Sequence, residues 1–405
     1  MARFGEDTLR SAFDAKFFSR TFKEVHAFMT AKIPTLDLTR NYGRIKEEIL
    51  EALNSVLESQ HFIMGPDVAA FEKECESYLG GVSAIGCASG TDALLLALMA
   101  LDIGEGDEVI TTPYSFFATV SCITRLGAVP VFADVDPGTF NIDPAKVLEA
   151  VTPRTKAFLP VHIFGQMTPM EIVYEELSAR GVAVVEDAAQ AFGAWRKEGN
   201  LIRRAGAWGK IGCYSFFPTK NLGGFGDGGM IVTRDEEIAS RLRKLRVHGA
   251  GTTYYHDEVG LNSRLDSLQA AILRVKLRHL EEWNEERRTV AGRYFALFAE
   301  KGLLDTVVPP QELEGNFHIY HQYVVKVPRR DELQAFLEDE GIVSRVYYPV
   351  SLHLQKCFSF LGYSEGDFPV SEQLSRETLA LPVFPELTME EQERIVSAIR
   401  RFYDK

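Results

Sequence analysis

One lysine, Lys220, lies between an aromatic run and a glycine-rich turn, within residues 214–224. Glycines let the backbone come close to a flat or charged ligand. A free lysine has a pKa near 10.4, so only about one side chain in a few thousand is the neutral nucleophile at pH 7. Desolvation and covalent linkage to an aldehyde cofactor both remove that handicap. The stretch therefore suits Schiff-base chemistry, although alone it would also fit a surface lysine in a polar turn.

Other polar residues follow the predicted strands, at the edge where ligands bind to an open parallel sheet. Residues 89–92 open a helix after the first strand, and their N–H groups and glycine suit a phosphate, although they also suit an ordinary helix N-cap. Phe116 follows the second strand, where it could belong to the core or stack on a flat ring. His162 follows the fourth strand and, as a lone histidine, is more often structural than catalytic.

Two acids, Glu186 and Asp187, end the fifth predicted strand, and Ser215 and Lys220 follow the start of the sixth. Buried acids need cationic partners, and only one can point into the site because strand neighbours face opposite ways. This edge of the sheet thus brings together a candidate anion-binding site at residues 89–92, an aromatic ring that could stack on a ligand, a carboxylate, a hydroxyl and a lysine. This set matches the needs of pyridoxal 5′-phosphate (PLP): phosphate donors, an apolar slab, an acid for the pyridine nitrogen and an amine for the aldehyde.

Seven strands alternate with helices along the first two thirds of the chain. The strands are predicted at residues 83–89, 107–112, 129–135, 157–163, 182–187, 212–216 and 229–233. Helices are predicted at residues 43–59, 66–78, 91–101 and 169–180. The early strands are nearly continuous apolar runs, which is typical of buried parallel strands. The pattern predicts an α/β fold with a mostly parallel seven-stranded sheet between layers of helices.

A long helix from Ser263 to about Glu300, bent or broken, is predicted to lead into a smaller α+β domain. That domain should contain strands at 319–327 and 342–348 and helices at 331–340 and 389–402, the last with capping-box spacing at its start. The predicted division is an N-terminal extension at 1–34, helical and amphipathic, a large cofactor-binding domain at 35–285 and a small C-terminal domain at 286–405.

The composition excludes several classes of function. A net charge of −13 over 405 residues argues against nucleic acid as a ligand. The five cysteines are scattered without CxxC spacing, which indicates neither zinc nor a disulfide framework and fits a reducing cytoplasm. No apolar run is long enough to cross a bilayer, and the N-terminus has no secretory signal pattern. We therefore expect a cytoplasmic protein that binds small molecules.

The sequence resembles the DegT/DnrJ/EryC1/StrS family of sugar aminotransferases, fold-type I PLP enzymes related to aspartate aminotransferase. The resemblance covers the chain from about residue 32 onward. Five motifs carry it: SGTDAL at 89–94, VEDAAQ at 185–190, SFFPTKN at 215–221, GGM at 228–230 and GLNSR at 260–264. The ordered set is specific, whereas each motif alone is not. Asp227 departs from the pattern, since many relatives have glutamate there, and little consequence is expected.

The resemblance implies a role for each motif residue around the cofactor. Lys220 would hold the cofactor aldehyde covalently, Asp187 would pair with the pyridinium nitrogen, and Gln190 would contact the ring hydroxyl. Phe116 would lie against the ring face. The phosphate would be held by Gly90, Thr91 and Ser215.

The resemblance also implies a homodimer with shared active sites. Asn262 would reach the phosphate of the other subunit's cofactor, and Arg264 would lie near that same site. The family also implies that His162, Tyr347 and Tyr348 lie near a sugar substrate. No metal is implied.

The implied reaction is a ping-pong transamination. An amino acid, glutamate in most relatives, would convert PLP to pyridoxamine phosphate (PMP), which would then aminate a keto group of a nucleotide-linked sugar. Such reactions make amino sugars for a surface polysaccharide or a glycosylated metabolite. Lys220, once released, would move the proton. Lysine rather than histidine at this position favours transamination over sugar dehydration.

Alternatives stay open at this point. A PLP-dependent sugar dehydratase and a non-catalytic regulatory relative would share the fold and the pocket. A dinucleotide enzyme is disfavoured, because the GxGxxG pattern at 224–229 precedes a strand instead of following one. His318 and His321 are interpreted as strand residues, since no further metal ligands have suitable spacing.

Overall fold

The computed structural model describes residues 32–252 and 254–405. Most of the predicted N-terminal helix, within residues 1–34, thus lies outside the described residues. Near the end of this predicted extension, Ile33 is buried and forms a parallel bridge with Ile342. None of the helices found between residue 32 and the C-terminus is both long enough and apolar enough to cross a membrane.

The central sheet contains the seven strands that the sequence predicts, with somewhat different bounds. They are β1 (Ser83–Cys87), β2 (Glu108–Thr111), β3 (Val129–Phe132), β4 (Thr155–Phe158), β5 (Ala183–Asp187), β8 (Ile211–Ser215) and β9 (Gly229–Thr233). Their order is β1-β9-β8-β5-β4-β2-β3. All neighbours are parallel except β9, which runs antiparallel to β1 and β8. The carboxyl ends of the other six strands therefore meet at one edge, where β9 begins.

Smaller sheets and hairpins complete the strands. They are β6 (Trp195–Glu198) with β7 (Leu201–Arg204) and β12 (Asn316–Phe317), β10 (Ala250–Thr252) with β11 (Tyr255–His256), and β13 (Tyr323–Lys326) with β14 (Thr378–Leu381). The helices in the described part of the chain are α1 (Leu38–Ser59), α2 (Pro66–Tyr78), α3 (Gly90–Ala100), α4 (Ala118–Arg125), α5 (Pro144–Glu149), α6 (Tyr174–Ala179), α7 (Glu236–Leu245), α8 (Ser267–Leu277), α9 (Leu280–Glu300), α10 (Arg330–Asp339), α11 (Pro369–Glu377) and α12 (Met389–Tyr403). The predicted capping box of Thr388 and Glu391 is confirmed at the start of α12.

Two hydrophobic clusters cover the two faces of the central sheet. Neighbouring residues of one strand belong to different clusters, as Val184 and Val185 do, because side chains alternate along a strand. A third cluster consists of Ile33 and residues between 290 and 402. The predicted domain division near residue 285 stays a prediction, which this separate third cluster supports.

The predictions for the second half of the chain need correction. Residues 342–348 do not form a strand and make only single bridges, from Ile342 and Arg345. One reason is that the Tyr347 carbonyl accepts the Tyr114 hydroxyl, so it is not part of a ladder. The strand that pairs with β13 is β14, which the sequence did not indicate.

Three further segments differ from expectation. His318 and His321 lie between β12 and β13 and not in a strand. The His321 carbonyl accepts a hydrogen bond from the Arg287 guanidinium. The predicted break in the helix of residues 263–300 is confirmed, because α8 and α9 are separate helices. The predicted helix at residues 169–180 consists of a 3-10 turn followed by the short α6.

Candidate active site

The carboxylate of Asp187 lies at the end of β5 and is buried. Its Oδ2 accepts a hydrogen bond from the Thr119 hydroxyl at 2.8 Å, and its Oδ1 accepts one from the Ala189 N–H at 3.2 Å. Burial raises the pKa of Asp187, while these two donors and the charges of Lys220 and His162 lower it. The site thus stabilises an anion that the strand alone could not hold.

The neighbouring Glu186 faces the opposite side and has a structural role. It accepts hydrogen bonds from three backbone N–H groups, those of Gly206, Trp208 and Gly209, at 2.6–2.8 Å. His162 Nε2 lies 2.7 Å from its Oε2. Glu186 and Asp187 thus point to opposite sides of β5, as the alternation of side chains along a strand requires.

The structure places His162 differently from the resemblance. His162 has no exposed surface, and its Nδ1 accepts the Thr168 N–H at 3.2 Å. The Nε2 therefore carries the proton and donates to Glu186. Because both ring nitrogens are engaged in the core, we do not expect direct contact between His162 and a sugar, and we assign it the support of Glu186.

Lys220 lies in the turn after β8 and is half-buried. Among the residues that the structure describes, its Nζ has neither a hydrogen-bond partner nor an ion pair. Burial lowers the pKa of Lys220 to about 8, and the nearby charge of Asp187 acts in the opposite direction. The result is an amine that is neutral far more often than an ordinary lysine.

The turn around Lys220 is held on both sides of the lysine. Asn221 donates to Asn284 Oδ1 at 2.8 Å and to the Ile319 carbonyl at 3.2 Å, and its own Oδ1 accepts from His321 Nδ1 at 3.1 Å. Lys276 donates to the Gly223 carbonyl at 2.6 Å. These contacts fix the backbone and leave the Lys220 side chain free.

The phosphate cup predicted from the sequence is assembled by close backbone contacts. Gly90 begins α3, and a Cβ there would lie 2.6 Å from Ser215 Cβ, so only glycine lets the helix approach Ser215. A Cβ at Gly229 would lie 2.3 Å from the Ser89 carbonyl oxygen. Thr91 is exposed beside this contact. The free N–H groups at the helix start and the positive end of the helix dipole suit an anion.

Gln190, Tyr348 and Phe116 form a second group. Gln190 Nε2 donates to the Tyr348 hydroxyl at 2.9 Å, while its Oε1 accepts the Phe164 N–H at 2.7 Å. The ring centroids of Tyr348 and Phe116 are 6.4 Å apart. Phe116 is 57% exposed, which leaves its ring available to stack on a ligand.

The remaining candidates lie at the margins of this arrangement. Tyr347 lines a small cavity together with Thr219. Asn262 is exposed and Arg264 is half-buried, and within the described residues neither side chain has a hydrogen-bond partner. Their predicted contact with a second subunit stays a prediction. Residues 32–252 and 254–405 contain no group of His, Cys, Asp or Glu that could hold a metal ion.

Sequence reasoning missed three residues that support the site: Thr119, Asn221 as an anchor, and Lys276. A signal for Thr119 was present, since Ser115 and Thr119 are four residues apart and their hydroxyls are 2.8 Å apart. The partners of Asn221 lie in α9 and between β12 and β13, and Lys276 reaches the turn from α8, so no local pattern reveals these contacts.

A model of the DegT/DnrJ/EryC1/StrS aminotransferase family matches residues 43–400, which include all of the candidate site residues. The chain is 50% identical over 371 residues to a pleiotropic regulatory protein of Geobacillus stearothermophilus, covering 92% of this chain and 98% of that protein. It is 43% identical over 369 residues to UDP-N-acetyl-3-dehydro-alpha-D-glucosamine 3-aminotransferase of Acidithiobacillus ferrooxidans, covering 91% and 97%.

A solved structure shares the fold. It is S. venezuelae DesV in complex with a ketimine intermediate, with a TM-score of 0.89 and 38% sequence identity. The similarity covers 93% of this chain and 100% of that chain.

Replacing Thr119 with valine should lower the free energy of unfolding by about 1–3 kcal/mol at pH 7, because the buried Asp187 carboxylate loses a donor. Because the pKa of Asp187 is raised above 3.8 in the folded state, its carboxyl group stays protonated to a higher pH in the folded protein than in the unfolded chain. The free energy of unfolding therefore falls as the pH rises from 3.8 through the raised pKa. The destabilisation caused by Thr119→Val should be smaller near pH 4.5 than at pH 7. Denaturant unfolding of the cofactor-free protein at both pH values measures this.

Thr124→Val is the matched control in the same helix, since the Thr124 hydroxyl donates only to the carbonyls of Val120 and Ser121. Its effect should stay within about 0.5 kcal/mol and should not depend on pH. Equal losses for Thr119→Val at the two pH values would contradict the assigned role.

Proposed function

The chain belongs to the DegT/DnrJ/EryC1/StrS aminotransferase family, and from that premise we propose that it is a PLP-dependent transaminase of nucleotide-linked sugars. It takes an amino group from an amino acid, L-glutamate, and delivers it to a keto group of the sugar. The product serves amino-sugar biosynthesis for a surface polysaccharide or a glycosylated metabolite. The observation that carries the proposal is Lys220, an unpartnered amine with a pKa near 8 within the electrostatic reach of the buried Asp187.

The residues present fit PLP. The contact between Gly90 and Ser215 leaves N–H groups and a hydroxyl for a phosphate, and Thr91 adds a second hydroxyl. The Asp187 carboxylate, already held by two donors, can keep a pyridine nitrogen protonated. Within the part of the chain that the structure describes, the Lys220 amine has no competing partner to displace.

We assign the cofactor contacts accordingly. Lys220 would hold the aldehyde, Asp187 would pair with the ring nitrogen, Gln190 would contact the ring hydroxyl and Phe116 would lie against the ring face. Gly90, Thr91 and Ser215 would hold the phosphate. The hydrogen bonds of Gln190 to the Tyr348 hydroxyl and from the Phe164 N–H hold its side chain at this edge.

When bound, PLP supplies an aldehyde for the amino group and a protonated ring that draws electrons from the substrate carbon. The protein supplies the proton transfer. Once released as a free amine, Lys220 Nζ would move the proton between the substrate carbon and C4′ of the cofactor: from the Cα of the amino donor to C4′ in the first half of the cycle, and from C4′ to the sugar carbon in the second. A pKa near 8 suits this, since a base works best when its pKa is close to the operating pH.

Two alternatives share this fold. A sugar dehydratase would release water without net amine transfer, and Lys220 in place of histidine disfavours it. A non-catalytic regulatory role is favoured by the name of the 50%-identical G. stearothermophilus relative. A PLP-bound protein that is inert toward every amino donor would support that role, whereas the free amine of Lys220 supports catalysis.

We also propose a homodimer in which Asn262 and Arg264 reach the partner's cofactor phosphate. Their side chains are without partners among the described residues, and nearby Tyr254 and Val259 are 90% and 89% exposed. Sedimentation velocity tests the proposal, and a monomer at micromolar concentration would contradict it.

Lys220→Ala should reduce amine transfer from L-glutamate to a keto-sugar nucleotide by at least about 10³-fold, because both the covalent anchor and the base are lost. The measurement is the amino-sugar nucleotide formed per unit time. Lys73→Ala, on the exposed side of α2, is the control and should leave the rate unchanged. Wild-type turnover by Lys220→Ala would remove the proposal.

The rate at which the cofactor-free protein takes up PLP covalently should rise with pH and level off near pH 8. With a pKa of about 8, about one Lys220 side chain in ten is neutral at pH 7, against about one in three thousand for an ordinary lysine. Stopped-flow absorbance after mixing with PLP measures the rate. A rate that still rises tenfold per pH unit up to pH 10 would contradict the lowered pKa.

A further inference from the structure

Two adjoining cavities lie beside Lys220, and we refer to them together as the Arg287 cavity. The first, of about 80 Å³, is lined by Thr219, Arg287 and His321 among others. The second, of about 20 Å³, is lined by Lys220 and again by Arg287. Since Arg287 lines both, the cavity connects the reactive lysine with a buried guanidinium.

Positive charge is in excess around the Arg287 cavity. Lys220, Lys276 and Arg287 line it, against one carboxylate, Glu386. Glu386 lies instead 3.3 Å from Asn41 Nδ2 and 3.4 Å from an Arg44 nitrogen. Burial lowers the pKa values of all three cations, to about 8 for both lysines and about 10 for the arginine. Burial thus outweighs the opposing charge of Asp187 at Lys220 and that of Glu386 at Arg287.

Arg287 is the group in the cavity that is best suited to bind an anion. It is 4% exposed, and its Nη1 donates to the carbonyls of Tyr320, His321 and Val383 at 3.0–3.4 Å. In residues 32–252 and 254–405, its Nε and Nη2 have no hydrogen-bond partner and no carboxylate lies within ion-pair distance. A buried guanidinium without an anion is costly, and its free N–H groups match the geometry of a carboxylate.

We propose that Arg287 binds a carboxylate of the amino donor while the donor's amino group is exchanged at Lys220. The charge around the cavity favours this occupant, because Lys220, Lys276 and Arg287 outnumber the single carboxylate of Glu386. Lys220 and Arg287 both line the second cavity, so a carboxylate on the guanidinium lies beside the amine at which the donor reacts. The Thr219 hydroxyl, which also lines the cavity, supplies a second donor.

His321 does not oppose this arrangement. Burial and the charges of Lys220 and Arg287 lower its pKa well below 6.5, so it is neutral and its Nδ1–H is committed to Asn221. The charge that selects an anion therefore comes from Arg287 and the two lysines. The inference rests on the proposed transaminase function and names the part of the chain that recognises the donor.

The test compares Arg287→Gln with Arg288→Gln in the PLP-loaded protein. Glutamine retains N–H donors for the backbone carbonyls and removes the charge. Arg288, the next residue of α9, pairs with Glu312 and does not line the cavity. The readout is the L-glutamate concentration that half-saturates the loss of the visible PLP band. It should rise at least tenfold in Arg287→Gln and change less than twofold in Arg288→Gln.

Two amino donors distinguish which carboxylate is bound. If Arg287→Gln raises the half-saturating concentrations of L-glutamate and L-alanine equally, the α-carboxylate occupies the cavity. If it raises only that of L-glutamate, the side-chain carboxylate occupies the cavity. Unchanged half-saturation for both donors in a folded Arg287→Gln protein would overturn the inference.

A binding measurement separates this inference from the proposed function. Glutarate, which has no amino group, should bind to the cofactor-free wild type in titration calorimetry and at least tenfold more weakly to Arg287→Gln. If PLP never loads, the transaminase proposal fails, while the glutarate titration still decides the role of Arg287. If Arg287→Gln does not fold, Thr219→Val takes its place, with an expected threefold or greater weakening. Glutarate binding that is absent, or equal in wild type and variant, overturns the inference.

Discussion

The burial of one carboxylate, that of Asp187, is the constraint on which the rest of the site depends. An ionised acid at the end of an apolar strand is stable only with donors and a nearby cation. Thr119 and the Ala189 N–H supply the donors, and Lys220 supplies the cation. Because side chains alternate along β5, the adjacent Glu186 must face the other way, where it binds three backbone N–H groups.

The surroundings of Lys220 are rigid where the backbone lies and open where the amine lies. Asn221 donates to Asn284 in α9, and Lys276 donates to the Gly223 carbonyl in the same turn. The Lys220 Nζ has no partner within the described residues. An amine held in this way loses little hydrogen bonding when it reacts. The same desolvation that lowers its pKa also lowers the pKa values of Lys276 and Arg287. These three basic groups line the cavity beneath the lysine with only one carboxylate, Glu386, so positive charge is in excess there. A carboxylate in that cavity would offset it.

The sheet and the reactive edge could be predicted from the sequence, because buried parallel strands read as apolar runs and the motif residues directly follow them. The supporting contacts could not. Thr119 meets Asp187 across 68 residues of sequence, and Arg287 meets Val383 across 96. Residues 342–348 are rich in strand-forming residues, but the Tyr114 hydroxyl donates a hydrogen bond to the Tyr347 carbonyl. Only the tertiary structure reveals this contact. The partners of the His162 ring were hidden from the sequence for the same reason, since they come from other segments.

The most direct test of the account is to locate the covalently bound cofactor. Two lysines with pKa values near 8, Lys220 and Lys276, line the same cavity, so chemistry alone does not choose between them. The protein is loaded with PLP, reduced with borohydride, digested and mapped by mass spectrometry. The account predicts one pyridoxyl group per chain, on Lys220. A pyridoxyl group on Lys276, or one spread over several surface lysines, would contradict it.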